Sequence, residues 1–98
     1  MNIHIALYKW KDNVTPEQVK EVFHKLGDLG PKVPGLISIT CTRNDSKYSE
    51  GYTHIIFVRG ENQAAIDAYR AHPLHKEIAD QIDSMEDKGI GIDFSTKS

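Results

Sequence analysis

An α+β fold, a four-stranded antiparallel sheet with its helices on one face, is predicted for this chain by three observations. Segments of alternating polarity and segments of helical period follow one another as strand, helix, strand and then strand, helix pair, strand, two matching halves. No repeat, low-complexity run or linker divides them, and 98 residues suit one domain, 1–98, with a single modest core. The first and third strands are apolar at both parities, although a sheet covered on one face needs only one apolar side.

The first strand, Asn2 to Trp10, sets Ile3, Ile5 and Leu7 on one face and His4, Ala6, Tyr8 and Trp10 on the other. Thr15-Pro16-Glu17-Gln18 then starts a helix: a threonine cap, proline at the first helical position, and glutamine at the third to reach back. Val19, Val22, Phe23, Leu26 and Leu29 form its apolar stripe, and Gly27, Gly30, Pro31 and Pro34 are expected to end it. A second strand, Leu36 to Arg43, leads through the polar loop 44–51 to a third starting at Tyr52. Asn62 to Ala71 reads as a short helix with Ala65, Ile66, Ala68 and Tyr69 apolar, interrupted by Pro73. Leu74, Ile78, Ile82 and Met85 define another helix, Asp87-Lys88-Gly89 lie beyond its stripe, and Ile90, Ile92 and Phe94 alternate as a last strand.

This order packs most economically as the ferredoxin-like arrangement. Its second sheet face would then expose apolar side chains that monomers seldom leave in water. A second copy is the simplest cover, so a homodimer is expected, the two sheets face to face in a dimeric α/β barrel.

Composition narrows the function classes. Twelve Lys and Arg against fourteen Asp and Glu give a net charge of −2, mixed along the chain, so nucleic acid is not an expected partner. No segment has the length and apolarity of a membrane span, and Met1-Asn2-Ile3-His4 lacks a charged leader, so no membrane partner and a cytoplasmic location are expected. The single cysteine, Cys41, shares parity with Ile37 and Ile39 and reads as a small core residue. Phosphate loops, a nucleophile elbow and paired carboxylates are absent, and no cofactor is expected.

Histidines carry the functional signal. His4 and His54 each interrupt an apolar strand, and on adjacent central strands they point to a shared cavity. Tyr69 and His75, six residues apart, would lie roughly 240° apart on one unbroken helix and could not meet. Pro73 allows the chain to bend, with His72 as the cap of a new helix and His75 in its first turn. The positive end of that helix would hold His75 neutral, as a proton acceptor must be, and the Tyr69 hydroxyl could orient it or serve an enolate oxygen. Each of these histidines also has a plain structural role available, His72 as a cap above all. His24 is expected to face solvent. A metal site built from His72, His75 and His4 or His54 would need three nitrogens on one ion, with Pro73 disturbing the spacing, and no metal is assigned.

Taken in order, His4-Ile5-Ala6-Leu7-Tyr8-Lys9-Trp10-Lys11-Asp12, Val33-Pro34-Gly35, Gly51-Tyr52-Thr53-His54, Ala68-Tyr69-Arg70-Ala71-His72-Pro73-Leu74-His75 and Ile92-Asp93-Phe94 resemble the stress-responsive dimeric A/B barrel family over nearly the full length. That resemblance implies sheet-paired ferredoxin-like subunits. It also suggests a cofactor-free polyketide cyclase chemistry found in the family, an intramolecular aldol condensation. On that pattern His75 and Tyr69 are the acid/base pair and His4 and His54 line the cavity as substrate-binding residues; His72, outside the pattern, is counted with them as substrate-binding. Leu26-Gly27 departs from the bulkier pocket wall of such a cyclase. Two readings follow: a cofactor-independent acid/base enzyme, a cyclase or lyase acting on a small polyketide-like or carbonyl compound, or a noncatalytic stress-associated ligand-binding or interaction protein of the same fold.

Overall fold

A computed structural model describes residues 1–97; Ser98, the last residue of the expected domain, lies outside the described residues. The order is β1 (Asn2–Trp10), α1 (Pro16–Leu29), a 3-10 turn (Gly30–Lys32), β2 (Leu36–Arg43), β3 (His54–Gly60), α2 (Gln63–Ala71), α3 (Pro73–Met85) and β4 (Glu86–Ser95). One four-stranded sheet runs β2-β3-β1-β4, all neighbours antiparallel. Among the described residues, no helix is long and apolar enough to cross a membrane.

The α1 start forms as its residue types require. The Thr15 hydroxyl accepts from the Gln18 amide at 3.2 Å, and the Gln18 side chain accepts from the Thr15 amide at 2.8 Å, satisfying two otherwise orphan donors. Val19, Val22, Leu26 and Leu29 bury their side chains against the sheet, joined by Ile56 and Val58 of β3, Ile66 of α2 and Ile78, Ile82 and Met85 of α3. Burial contributes about 1.5–3 kcal/mol for each large apolar side chain, and this cluster is what holds the helices to one face.

Four expectations shift. Gly27 does not end α1: the helix runs through it to Leu29, and a Cβ there would meet nothing within 4 Å. Phe23 is only half-buried, and Ala68 and Leu74 are exposed, because the stripes that meet the core are narrower than the apolar content of these helices. Strand pairing of β3 with β2 and β1 begins at His54 rather than Tyr52. The last strand starts at Glu86, taking in Asp87, Lys88 and Gly89, because the backbone passes from α3 straight into pairing with Trp10 and Lys9.

Register divides the sheet faces. Phe57, Ile5 and Ile92 form one cross-strand row on the face away from the helices, and Ile55, Leu7 and Ile90 form the next. Ile90, Ile92 and Phe94 are 41%, 42% and 43% exposed, an apolar surface that no element of the described residues covers. The opposite face carries His4, Ala6, Tyr8 and Trp10 under the helices, as the strand parity predicts.

Candidate functional site

Two hollows on the helix side of the sheet take in three of the five histidines. The first, about 260 Å³, lies between the N-terminal half of β1, α2 and α3, and takes in His4, Tyr8, Tyr69, Arg70, His75 and Asp83. Among the described residues, no helix packs closely on β4, and a Cβ on Gly91, the β-partner of the hollow's Ala6, would meet nothing within 4 Å.

Pro73 does what a proline at the first helical position should. It stops α2 at Ala71 and opens α3, with His72 extended (φ −65°, ψ 135°) as shared cap and its Nδ1 accepting from the Leu74 amide at 3.1 Å. The bend turns His75 back onto Tyr69. Their ring centroids are 4.5 Å apart with planes inclined at 68°, an edge-on contact that an unbroken helix would forbid.

Tyr69 is 2% exposed and sits in the core cluster, yet its hydroxyl has no hydrogen-bond partner among the described residues and is not sealed from solvent, so it opens on the hollow. Burial pushes its phenol well above the usual range, and the group stays protonated and able to donate. His75 is shifted down, first by burial and then by His4 and Arg70, so the ring is neutral near pH 7. Desolvation is therefore the leading cause of the neutrality that was expected from the helix end. The Arg70 backbone acts weakly the other way, favouring a ring N–H turned toward it, and a neutral imidazole keeps its other nitrogen as an acceptor.

His4 is held from outside the histidine set. It is the direct β-partner of Asp93, and its Nδ1 lies 2.9 Å from Asp93 Oδ1, while Arg70 Nη2 lies 2.9 Å from the same oxygen and 2.8 Å from Nδ1. Arginine only donates and a carboxylate only accepts, so Asp93 takes a hydrogen bond from Arg70 and, with Nδ1 protonated, one from His4, which leaves the Arg70–Nδ1 approach a contact between two donors. His4 Nε2 is then an acceptor. Burial lowers the His4 pKa, partly opposed by the Asp93 hydrogen bond, and Arg70 lowers it further. Asp93, against a small burial cost, is held below the usual carboxylate range by hydrogen bonds from Arg70 and His4. Neither Arg70 nor Asp93 emerges from motif reading. The available signal is parity: Asp93 is a lone carboxylate alternating with Ile92 and Phe94, which places it on the helix side of β4.

The shared cavity expected for His4 and His54 does not form. β1 and β3 are neighbours, but His4 pairs with Val58 and His54 with Tyr8, four positions or about 13 Å apart along the strands. His54 lines a separate hollow with Trp10 and Phe23, and His72, its Nδ1 committed to the cap, lines neither. His24 is exposed on α1 beside Asp28 at 3.3 Å, as expected of a solvent-facing histidine. Among the described residues, no group of three or more His, Cys, Asp or Glu side chains is placed to hold a metal ion. Cys41 packs against the core, and burial raises its thiol to about 12, which removes it as a nucleophile.

Comparison with known proteins places this geometry. A family model for the stress responsive A/B barrel domain matches residues 3–96. The chain is 30% identical over 97 residues to the stress-response A/B barrel domain-containing protein HS1 of Arabidopsis thaliana, covering 97% of this chain and 89% of that one. It is 28% identical over 96 residues to olivetolic acid cyclase of Cannabis sativa, covering 96% and 95%. A crystal structure from Thermobifida fusca, described as a dimeric ferredoxin-like protein of unknown function, superposes with a TM-score of 0.84 at 26% identity, covering 97% of this chain and 90% of that one. Matched from Ile3 to Thr96, the chain belongs to the stress-responsive A/B barrel domain family.

Proposed function

We propose that the hollow of Tyr69, His75 and His4 is the site of a cofactor-independent acid/base enzyme acting on a small polyketide-like or carbonyl compound. The observation that carries this reading is a buried, protonated phenol with no hydrogen-bond partner among the described residues, in ring contact with a neutral imidazole, both facing the same hollow. The similarity to olivetolic acid cyclase supports an intramolecular aldol step.

In that step the free nitrogen of His75 takes a proton from the carbon between two carbonyls. The Tyr69 hydroxyl donates to the enolate oxygen, and the enolate carbon attacks a remote carbonyl of the same molecule, closing a ring. His75, now imidazolium, returns its proton to the new alkoxide. His4, fixed through Asp93 and Arg70, presents Nε2 to a substrate hydroxyl or enol, and folding of the flexible chain in a confined hollow supplies proximity. At about 260 Å³ the hollow lies below the roughly 300–1,000 Å³ of sites for drug-sized ligands, which favours a compact substrate.

We also infer that the subunits pair through the Ile5, Leu7, Ile90 and Ile92 face, a reading supported by the unpartnered apolar rows and by the dimeric description of the Thermobifida fusca protein.

The direct test is deuterium exchange at the central methylene of 2,4-pentanedione, followed by NMR with wild type and His75→Ala. Enzyme-dependent exchange that falls about 10²–10⁴-fold in the variant supports the base role. Stabilisation of the wild type by this diketone in a thermal shift, without any accelerated exchange, would instead identify a ligand-binding protein of the same fold.

A further inference from the structure

We propose a second ligand site, separate from the hollow of Tyr69 and His75, that takes a small molecule with an apolar body and one carboxylate in the groove beneath the first turns of α1. This groove has a volume of about 530 Å³, within the range of small-molecule sites. Trp10, Val14, Val19 and Phe23 wall it with apolar surface. Its charged and ring-nitrogen groups are Lys20, Arg43 and His54, and no carboxylate side chain of the described residues lines it.

The state of His54 follows from its neighbours. The Trp10 indole can only donate, and its Nε1 lies 2.9 Å from His54 Nδ1, so Nδ1 is an acceptor and Nε2 carries the proton. The Thr53 hydroxyl, 2.9 Å from the same Nδ1, completes the lock. His54 Nε2–H has no partner among the described residues. Arg43 stands directly opposite His54 in the β2–β3 register, and neither Arg43 nor Lys20 has an ion-pair partner among the described residues.

Three donors thus border an apolar groove in which no described side chain supplies a negative charge. A carboxylate complements that arrangement, and an amine would meet the like charge of Lys20 and Arg43. The groove is also a distinct compartment. Tyr8 lines the first hollow and Trp10 the second, and their rings stack at 5.1 Å with planes 9° apart, forming the partition.

Trp10 is the only tryptophan in the chain, so its fluorescence reports the groove directly. Octanoate titrated into the full-length protein should give a saturable change, with 1-octanol binding at least about tenfold more weakly, a difference of roughly 1.4 kcal/mol. Arg43→Gln, at an exposed position, should leave the melting temperature unchanged, weaken octanoate about tenfold and leave octanol unaffected. Tyr69→Phe should leave octanoate binding unchanged. The proposal is overturned by absence of saturation, by equal binding of octanoate and octanol, or by binding that depends on Tyr69 and not on Arg43, which would place the anion in the first hollow.

Discussion

Replacing Tyr69 by phenylalanine separates function from stability, because the hydroxyl is the one part of this buried side chain that the protein itself does not use. The ring packs in the core cluster and against His75, whereas the hydroxyl makes no hydrogen bond to any described residue. A typical buried hydrogen bond contributes about 0.5–1.5 kcal/mol, and here none is lost, so Tyr69→Phe should change the unfolding free energy by less than about 0.5 kcal/mol. Tyr69→Ala, which removes the ring and leaves a cavity, should cost about 3–5 kcal/mol. The chemistry should respond in the opposite sense. Loss of a preorganised donor to a developing oxyanion lowers turnover by about 10²–10³-fold, so Tyr69→Phe should lose diketone exchange by that factor while folding normally. Urea denaturation read beside NMR exchange rates checks both halves. A destabilisation above about 1.5 kcal/mol would make the hydroxyl structural. Exchange at the wild-type rate would remove Tyr69 from the mechanism.

Four other outcomes are expected. Because the His75 pKa lies below 6.5, the exchange rate should rise with pH through a value under 6.5 and be flat near 7, whereas a limb centred above 7 would point to a different base. His4, His54 and His75 are all depressed in the folded state, so the unfolded chain binds more protons just below 6.5. Stability should therefore be full above that pH and decline as pH falls through the folded values, a trend that urea titrations from pH 7 to 5 would reveal. Gly91→Leu places a side chain in the open mouth of the first hollow and should abolish the diketone thermal shift at unchanged fold; retained binding would mean that the ligand enters elsewhere. Ile92→Asp on the open face should convert a dimer to monomer in sedimentation velocity, and an unaltered dimer would place the interface on another surface.

Local chemistry made much of the architecture readable in advance. The capping box at Thr15, the strand alternation of β1 and the proline that separates α2 from α3 are short-range properties, and the helices and strands follow them to within a few residues. The apolar row on the uncovered sheet face was legible for the same reason, since side-chain direction alternates with a period of two wherever a strand forms. The Tyr69–His75 contact also follows from a local rule, the inability of proline to continue a helix.

Register and burial belong to the assembled structure. Which residue of β3 stands opposite His4 depends on how two distant strands slide into place, and that choice sends His54 to a second hollow about four positions away. The same pairing brings Asp93 beside His4, and α2 packing sets Arg70 over both, a three-residue contact that spans 89 positions of chain. The neutrality of His75 is likewise set mainly by the surfaces that close around it, because desolvation is a property of packing and not of neighbouring sequence.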